Sequence, residues 1–175
     1  MELNFSDISK NDDGEYFVRI TNGSGKPVFS QQNKVEVSNV TTDEVTIQCS
    51  GDAFTPYDDA VMEYAKEHRQ DWFGRDISDK VLANAYQHTA DDGNVTVIPR
   101  TADDGSPLVQ YYGLDREPKE YADLQVGASA KVVLELYGLW FVKKNFGPVW
   151  RLIQAQDLKP PDKCPYADYL FQDTE

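Results

Sequence analysis

The feature that most constrains the fold of this chain is one long alternating stretch, KVVLELYGLWFVKKNFGPVWRLIQAQ, which occupies residues 131–156. Apolar residues recur at every second position in its first half, a spacing typical of a β-strand that buries one face. The Asn-Phe-Gly-Pro interruption at 145–148 predicts a turn, after which VWRLIQAQ returns as a partner strand. The stretch therefore predicts a long hairpin whose tip holds Lys143, Lys144 and Phe146.

The two faces of the predicted first strand differ in chemistry. One face would carry only apolar side chains, at Val132, Leu134, Leu136 and Trp140. The other would mix rings with charge, at Lys131, Val133, Glu135, Tyr137, Leu139, Phe141 and Lys143. On the return strand, Arg151, Ile153 and Ala155 would lie opposite Trp150, Leu152 and Gln154. Gly138 in mid-strand predicts a bulge or a close backbone approach. Because a bulge would move Trp140 to the face opposite Leu136, the sequence leaves open which rings face outwards.

The rest of the chain reads as short strands interrupted by helices. β-Branched and partly alternating segments predict further strands at 15–20, 33–37, 44–50, 94–100 and 107–113. Between the strands at 44–50 and 94–100 the apolar spacing changes to three and four, which predicts one helix over about residues 57–72 and a shorter one over 78–86, capped by Ser78. This order, in a chain of 175 residues, predicts a single mainly β domain with inserted helices.

Charge is unevenly distributed along the sequence. The formal net charge of -13 by itself argues against binding to nucleic acid. Between residues 131 and 163, however, six basic residues stand against three acids, and the same region holds five large aromatic rings. The basic residues are Lys131, Lys143, Lys144, Arg151, Lys159 and Lys163. A basic, ring-rich surface on an acidic protein is therefore expected here.

Catalytic and metal-binding patterns are weak in this sequence. The only histidines are His68 and His88, and no hydrolase, nucleotide-binding or zinc motif occurs. The repeated Asp-Asp-Gly triplets at 12–14, 91–93 and 103–105 lack the ligand spacing of a calcium loop and predict tight turns. Asp58 and Asp59 are expected to be favourable charges at a helix start. We expect no catalytic site, metal or cofactor.

Composition also sets expectations for cellular location. The N-terminus does not have the pattern of a signal peptide, and no segment has the apolar length needed to cross a bilayer. Two cysteines, Cys49 and Cys164, are too few for a disulfide framework, which fits a reducing compartment. An intracellular protein with no membrane partner is the expectation.

Rings mixed with cations suit the binding of a single nucleic-acid strand. Unpaired bases stack on aromatic side chains, while lysine and arginine neutralise the neighbouring phosphates. The candidate surface comprises Lys131, Tyr137, Trp140, Phe141, Lys143, Lys144, Trp150 and Arg151. The alternative is that these rings fill a β core and the lysines cover an ordinary solvated hairpin tip. Stacking does not distinguish the two sugars, so the choice between DNA and RNA stays open.

The closing hairpin resembles a known family. Gly127 and the strand after it, GLWF at 138–141 and FGPVWRLIQAQ at 146–156, are similar to phage-type single-stranded DNA-binding proteins and their relatives in nucleocytoplasmic large DNA viruses. The resemblance covers about residues 124–158. It implies an OB fold, a five-stranded Greek-key barrel, over residues 1–159 with a long helix between strands. It also implies single-stranded DNA as the partner, in replication, recombination or repair at a cytoplasmic or nuclear site of DNA replication.

The C-terminal tail, residues 160–175, matches that family only weakly. Family members end in an acidic tail closed by an aromatic residue that recruits replication proteins, whereas this chain ends PPDKCPYADYLFQDTE. The apolar residues Tyr166, Tyr169, Leu170 and Phe171 could instead dock on the barrel or on a second subunit, which leaves a homodimer open. The main alternative function is a protein–protein interaction or viral assembly module that binds no nucleic acid, and an unrecognised hydrolase is the third.

Overall fold

The computed structural model describes residues 1–158, which form ten strands and three α-helices. The strands are β1 (Leu3–Phe5), β2 (Ser9–Lys10), β3 (Tyr16–Asn22), β4 (Val28–Val40), β5 (Val45–Gln48), β6 (Asn94–Pro99), β7 (Gln110–Tyr112), β8 (Pro118–Lys119), β9 (Ser129–Val142) and β10 (Asn145–Asp157). The helices are α1 (Thr55–Glu67), α2 (Arg69–Phe73) and α3 (Asp79–Ala85). They lie between β5 and β6, which confirms the predicted order of strands, helices and strands.

Five of these strands close into a barrel. β9 pairs with β4, and the sheet then continues through β5, β6 and β10 until β10 pairs again with β9. Every pairing in this ring is antiparallel except that of β6 with β10, which is parallel. This connectivity is that of the OB fold, so the expected five-stranded barrel with inserted helices is confirmed. β3 extends the sheet by pairing with the far half of β9.

The barrel core follows from strict alternation along the strands. β6 alternates exposed and buried residues over its whole length, and β5 buries Val45 and Ile47 in the same manner. β9 contributes Val132, Leu134 and Leu136 to the same interior. Each such side chain adds about 1.5 to 3 kcal/mol by leaving water. This burial fixes which residues of β9 and β10 remain outside.

The helical insert packs against the end of the barrel near the hairpin tip. The sequence predicted one helix over 57–72, but the chain leaves helical geometry at His68, with φ -113° and ψ 19°. The break lets Trp72 and Phe73 of α2 contact Phe141 edge-on, with ring centroids 5.4 and 5.9 Å apart. Tertiary packing therefore overrides a continuous apolar periodicity. The cap of α3 is confirmed, since the Val81 amide donates to Ser78 Oγ at 3.2 Å.

The long hairpin is confirmed, but its predicted turn is wrong. The chain reverses at Lys143 and Lys144, and Asn145 already pairs with Val142. Phe146, expected at the exposed tip, is fully buried in β10 beneath the helices. Pro148 lies inside this strand, opposite Leu139 of β9 and before the residues of β10 that pair with β6, which are Arg151 and Leu152.

Two further expectations concern loops and membrane segments. The Asp-Asp-Gly triplets form turns as predicted, with φ of +80° at Gly93 and +84° at Gly105. Within residues 1–158, no helix is long and apolar enough to span a membrane. The predicted tail, with its docking residues, lies outside the described residues, as do Lys159 and Lys163.

Candidate nucleic-acid interface

A bulge at Tyr137 sets which side chains of the hairpin face outwards. Trp150 pairs with Leu136 and Val149 pairs with Gly138, so Tyr137 is an extra residue on β9. Beyond the bulge the alternation shifts by one, and Leu139 and Phe141 join the buried face while Trp140 moves to the opposite one. The bulge near Gly138 is therefore confirmed, and the simple alternation that grouped Trp140 with Leu136 is corrected. A second bulge at Ile153 likewise turns Ala155 inwards.

The outward side of β3, β4, β9, β10 and β7, together with Ile98 at the end of β6, is here called the outer face. Its central row runs across four strands from Phe29 to Glu135, Arg151 and Ile98, which are successive register partners. Phe29 is 55% exposed and Ile98 is 45% exposed. Nearer the hairpin tip, Phe17 pairs with Trp140, and both side chains are partly buried. Large rings and apolar side chains are thus presented to solvent along the hairpin.

The most ordered feature of the outer face is Tyr137 and the two arginines over its ring. Arg151 Cζ lies 3.6 Å from the ring centroid, and Arg19 Cζ lies 4.0 Å from it. Arg19 is held further by its Nη2, which donates to Glu135 Oε1 at 3.0 Å. Such cation–π contacts contribute about 0.5 to 2 kcal/mol each. They hold planar guanidinium groups in fixed positions, and a guanidinium plane can itself stack on a base.

The electrostatics of the outer face are favourable for phosphate. Arg19 neutralises Glu135, whose side chain is only 7% exposed. Lys119 neutralises Asp157 in the same way, with Nζ and Oδ2 separated by 3.0 Å. Among residues 1–158, the predicted cations have no carboxylate within ion-pair distance; they are Lys131, Lys143, Lys144 and Arg151. Their charge is therefore available to a ligand.

Two of the predicted site residues are buried, which corrects the sequence-based expectation for them. Trp150 is 2% exposed and packs edge-on against Phe54 and Tyr57, at centroid distances of 5.2 and 5.1 Å. Phe141 is 9% exposed and stacks on Phe146 at 5.6 Å. The cause is the bulge at Tyr137 together with the helical insert, which covers the inner side of this part of the hairpin. Neither ring has a free face for a base.

Trp150 instead takes part in a polar network that attaches the helices to β10. Its Nε1 donates to Thr89 Oγ1 at 3.0 Å, and this hydroxyl donates to Asp58 Oδ1 at 2.8 Å. Tyr86 also donates its hydroxyl to Asp58 Oδ1, at 2.6 Å. Burial and the adjacent Asp58 carboxylate raise the pKa of Tyr86. Asp58, expected to act as a charge at the helix start, is thus a buried acceptor with a structural role.

Three residues of the outer face were missed by the sequence reasoning, namely Phe17, Arg19 and Phe29. A signal for the first two existed, because Phe17 and Arg19 alternate with the buried Val18 and Ile20. What the sequence lacked was the pairing partner. Arg19 meets Glu135 across 116 positions of sequence, and local spacing does not reveal that contact.

Other parts of the barrel surface suit a nucleic acid less well. OB folds commonly bind oligonucleotides across their second and third strands and the loops beside the first and last hairpins. In this chain those strands are β5 and β6, whose outward polar residues are uncharged, such as Gln48 and Thr96. The β4–β5 loop carries Asp43 and Glu44, whereas the β9–β10 loop carries Lys143 and Lys144. Charge therefore favours the hairpin side.

A separate groove of about 670 Å³ lies beside the β4–β5 loop. It is lined mainly by apolar residues, among them Val40, Pro107, Val109, Tyr121 and Leu124. The one cation in its lining, Lys119, is engaged with Asp157. Because the groove offers no uncompensated positive charge among its lining residues, it does not fit a phosphate backbone.

Comparison with known protein families identifies the family of this chain. A family model described as "Family of unknown function (DUF5871)" matches residues 33–173. The chain belongs to this family. The region shared with the DUF5871 family contains most of β4, the other four barrel strands and the helical insert, whereas Phe17 and Arg19 precede it. No curated protein matches the chain.

Solved structures similar to this DUF5871 protein include one phage protein in three forms. The single-stranded DNA-binding protein from bacteriophage Enc34 has 12% identity and a TM-score of 0.48, with 94% of this chain and 96% of that chain covered. A C-terminal truncation of it has 11% identity and a TM-score of 0.49, covering 91% and 97%. Its complex with single-stranded DNA has 11% identity and a TM-score of 0.49, covering 89% and 96%. Membership of the phage-type family, which the hairpin resembles, stays a prediction.

Proposed function

We propose that this DUF5871 protein binds single-stranded DNA along the outer face of its hairpin, without base specificity and without catalysis. The observation that carries the proposal is the Tyr137 ring held beneath Arg19 and Arg151, beside the exposed Phe29. Planar cations and rings fixed on one surface are the groups that an unpaired strand requires. The proposed surface keeps six of the eight predicted residues, adds Phe17, Arg19 and Phe29, and omits Phe141 and Trp150.

The arrangement assigns different work to the two kinds of side chain. Phe29, Trp140 and the guanidinium plane of Arg151 would stack on bases, and stacking tolerates any base because all four have a π face. The lysines at both ends would neutralise phosphates. Lys131 lies near the start of β9 and Lys143 directly follows its end, twelve residues later, which corresponds to at most about 40 Å of extended strand. A surface of this length accommodates several nucleotides.

A role in DNA replication, recombination or repair is part of this proposal and rests on the resemblance of the hairpin. Recruitment of replication proteins by the tail rests on the same resemblance. The direct consequence of binding would be to keep single strands unpaired.

The proposal is tested by the anisotropy of a labelled poly-dT oligonucleotide titrated with the protein. Phe29→Ala removes one stacking ring and should weaken binding about 5- to 150-fold, the equivalent of roughly 1 to 3 kcal/mol per stacked base. Val81→Ala is the matched control, since Val81 is a large apolar residue that is 49% exposed and lies on α3 of the helical insert. Equal affinities for wild type and Phe29→Ala would remove Phe29 from the interface, and no binding by wild type would refute the function.

A second candidate function is favoured by one observation. Phe29 and Ile98 are large apolar residues exposed on the same row, and exposed apolar patches also mark protein interfaces. Salt dependence separates the two functions. Binding to a single strand should weaken steeply as salt rises, because counterions are released, whereas a ring-rich protein interface should respond little.

A further inference from the structure

A polar pocket lies on the outer face at the end of the hairpin opposite its tip. It has a volume of about 240 Å³ and is lined by Gln31, Tyr112, Lys131, Val133, Gln154 and Gln156, together with the buried Ala155. Three of its side chains are glutamine amides, beside one phenol ring and one lysine. Lys131 is the only sequence-predicted site residue in this lining.

Strand register explains why these side chains converge. Gln31, Val133, Gln154 and Gln110 are successive partners on β4, β9, β10 and β7. Two residues further along β10, Gln156 pairs with Lys131 of β9 and with Tyr112 of β7, and these three residues form a second row. Neighbouring strands lie about 4.8 Å apart. The two rows therefore surround the short side chain of Val133 with longer polar ones, which creates the concavity.

The polar atoms of the pocket are only partly used by the protein. Gln154 Nε2 donates to Gln110 Oε1, so that within residues 1–158 the side-chain oxygen of Gln154 and the side-chain nitrogen of Gln110 are an adjacent acceptor and donor without other partners. Gln31 Nε2 donates to Asn33 Oδ1 at 2.7 Å, and Gln31 Oε1 likewise accepts no hydrogen bond from the described residues. Base edges present mixed donors and acceptors, and a glutamine amide can pair with them in the same plane.

The pocket is continuous with the proposed binding surface. Val133 and Tyr137 are four residues apart on β9, which corresponds to about 13 Å of extended strand. One DNA strand could therefore reach both the pocket and Tyr137 with its two arginines. Lys131 lies beside the amides and has no ion-pair partner among residues 1–158, so it is free for the phosphate of a nucleotide held there.

We propose that this pocket holds one unstacked nucleobase of the bound strand, with the glutamine amides on the base edge, Tyr112 against the ring and Lys131 on a phosphate. The inference rests on the proposed single-strand binding and adds a second subsite to it. Stacking on Phe29, Trp140 and the Arg151 guanidinium would supply sequence-independent affinity, while the pocket would fix the position of one nucleotide relative to the hairpin.

The experiment uses Gln154→Leu and Gln31→Leu, which remove an amide at nearly constant size from exposed positions. Each should weaken poly-dT binding about two- to tenfold, the usual range for one hydrogen bond. The effect should vanish on an oligonucleotide of abasic sites, because no base edge is then present. Gln70→Leu, at an exposed site on α2, is the matched control and should change neither affinity. A poly-dT strand carrying 5-iodouracil should also cross-link to Tyr112 under ultraviolet light.

The outcomes separate the subsite from the function. Wild-type binding to poly-dT with unchanged affinity in both leucine variants and no cross-link at Tyr112 would overturn the pocket alone. Equal weakening on the base-containing and abasic strands would overturn it too, because the amides would then act on the backbone. Absence of wild-type binding would overturn the proposed function and the pocket together.

Discussion

The salt dependence of binding gives the sharpest quantitative prediction. For a single strand, the logarithm of the binding constant falls with the logarithm of salt concentration by about 0.7 per neutralised phosphate. The three lysines of the proposed surface, Lys131, Lys143 and Lys144, are unpaired within the described part of the chain and are assigned to phosphates, so the wild-type slope should be about -2.1. Lys131→Gln or Lys144→Gln should each reduce its magnitude by about 0.7, and the double variant by about 1.4.

The assay is the anisotropy of labelled poly-dT, measured from about 50 to 200 mM NaCl. Both lysines can be replaced with little risk to the fold, since Lys144 is exposed at the hairpin tip and Lys131 is partly exposed at its other end. Lys66→Gln, on the exposed side of α1, is the control for net charge and should leave the slope unchanged. Equal slopes for wild type, the two single lysine variants and the double variant would refute a localised set of phosphate contacts. A decrease with Lys66→Gln as large as that with Lys131→Gln or Lys144→Gln would refute it as well.

Three further predictions concern stability. Gly138→Ala should cost about 1 to 3 kcal/mol in urea unfolding, because its Cβ would overlap the Phe17 ring and the neighbouring β3 backbone; unchanged stability would contradict that packing. Asp58→Ala leaves the buried Tyr86 hydroxyl without its acceptor and should cost about 2 to 4 kcal/mol by the same measurement. Burial and a hydrogen bond to the Asp157 carboxylate raise the pKa of Tyr111 to about 12. The contribution of Tyr111 to the free energy of unfolding is therefore complete below about pH 10 and is lost as the pH rises towards about 12. Over that pH interval, the free energy of unfolding of Tyr111→Phe should fall less steeply than that of wild type. An equally steep fall in both proteins would count against this role of Tyr111.

The sequence predicted those parts of the fold that depend on local spacing. Alternation in β9 gave the inner residues Leu134 and Leu136, and the cap at Ser78 was identified from the residue type alone. The turn of the hairpin was misplaced because Gly147 and Pro148 are common turn residues. In this chain Phe146 is needed in the core, which keeps that segment inside β10.

The candidate site was only partly predictable, for a physical reason. The bulge at Tyr137 reverses the facing of every later residue on β9, so Trp140 and Phe141 exchange sides. Local spacing indicated that a bulge could occur but not which side would be buried. Arg19 reaches the site through long-range strand pairing with β9, which depends on the folded topology and on no nearby residue.

The central claim is that a strand of DNA lies on the outer face, and tryptophan fluorescence tests it most directly. Trp140 lies on that face, whereas Trp150 is 2% exposed in the core. Titration with poly-dT at low salt should quench the emission of the wild-type protein, and Trp140→Phe should lose most of that quenching while still binding. No quenching in a folded wild-type protein, or quenching that persists unchanged in Trp140→Phe, would contradict the account.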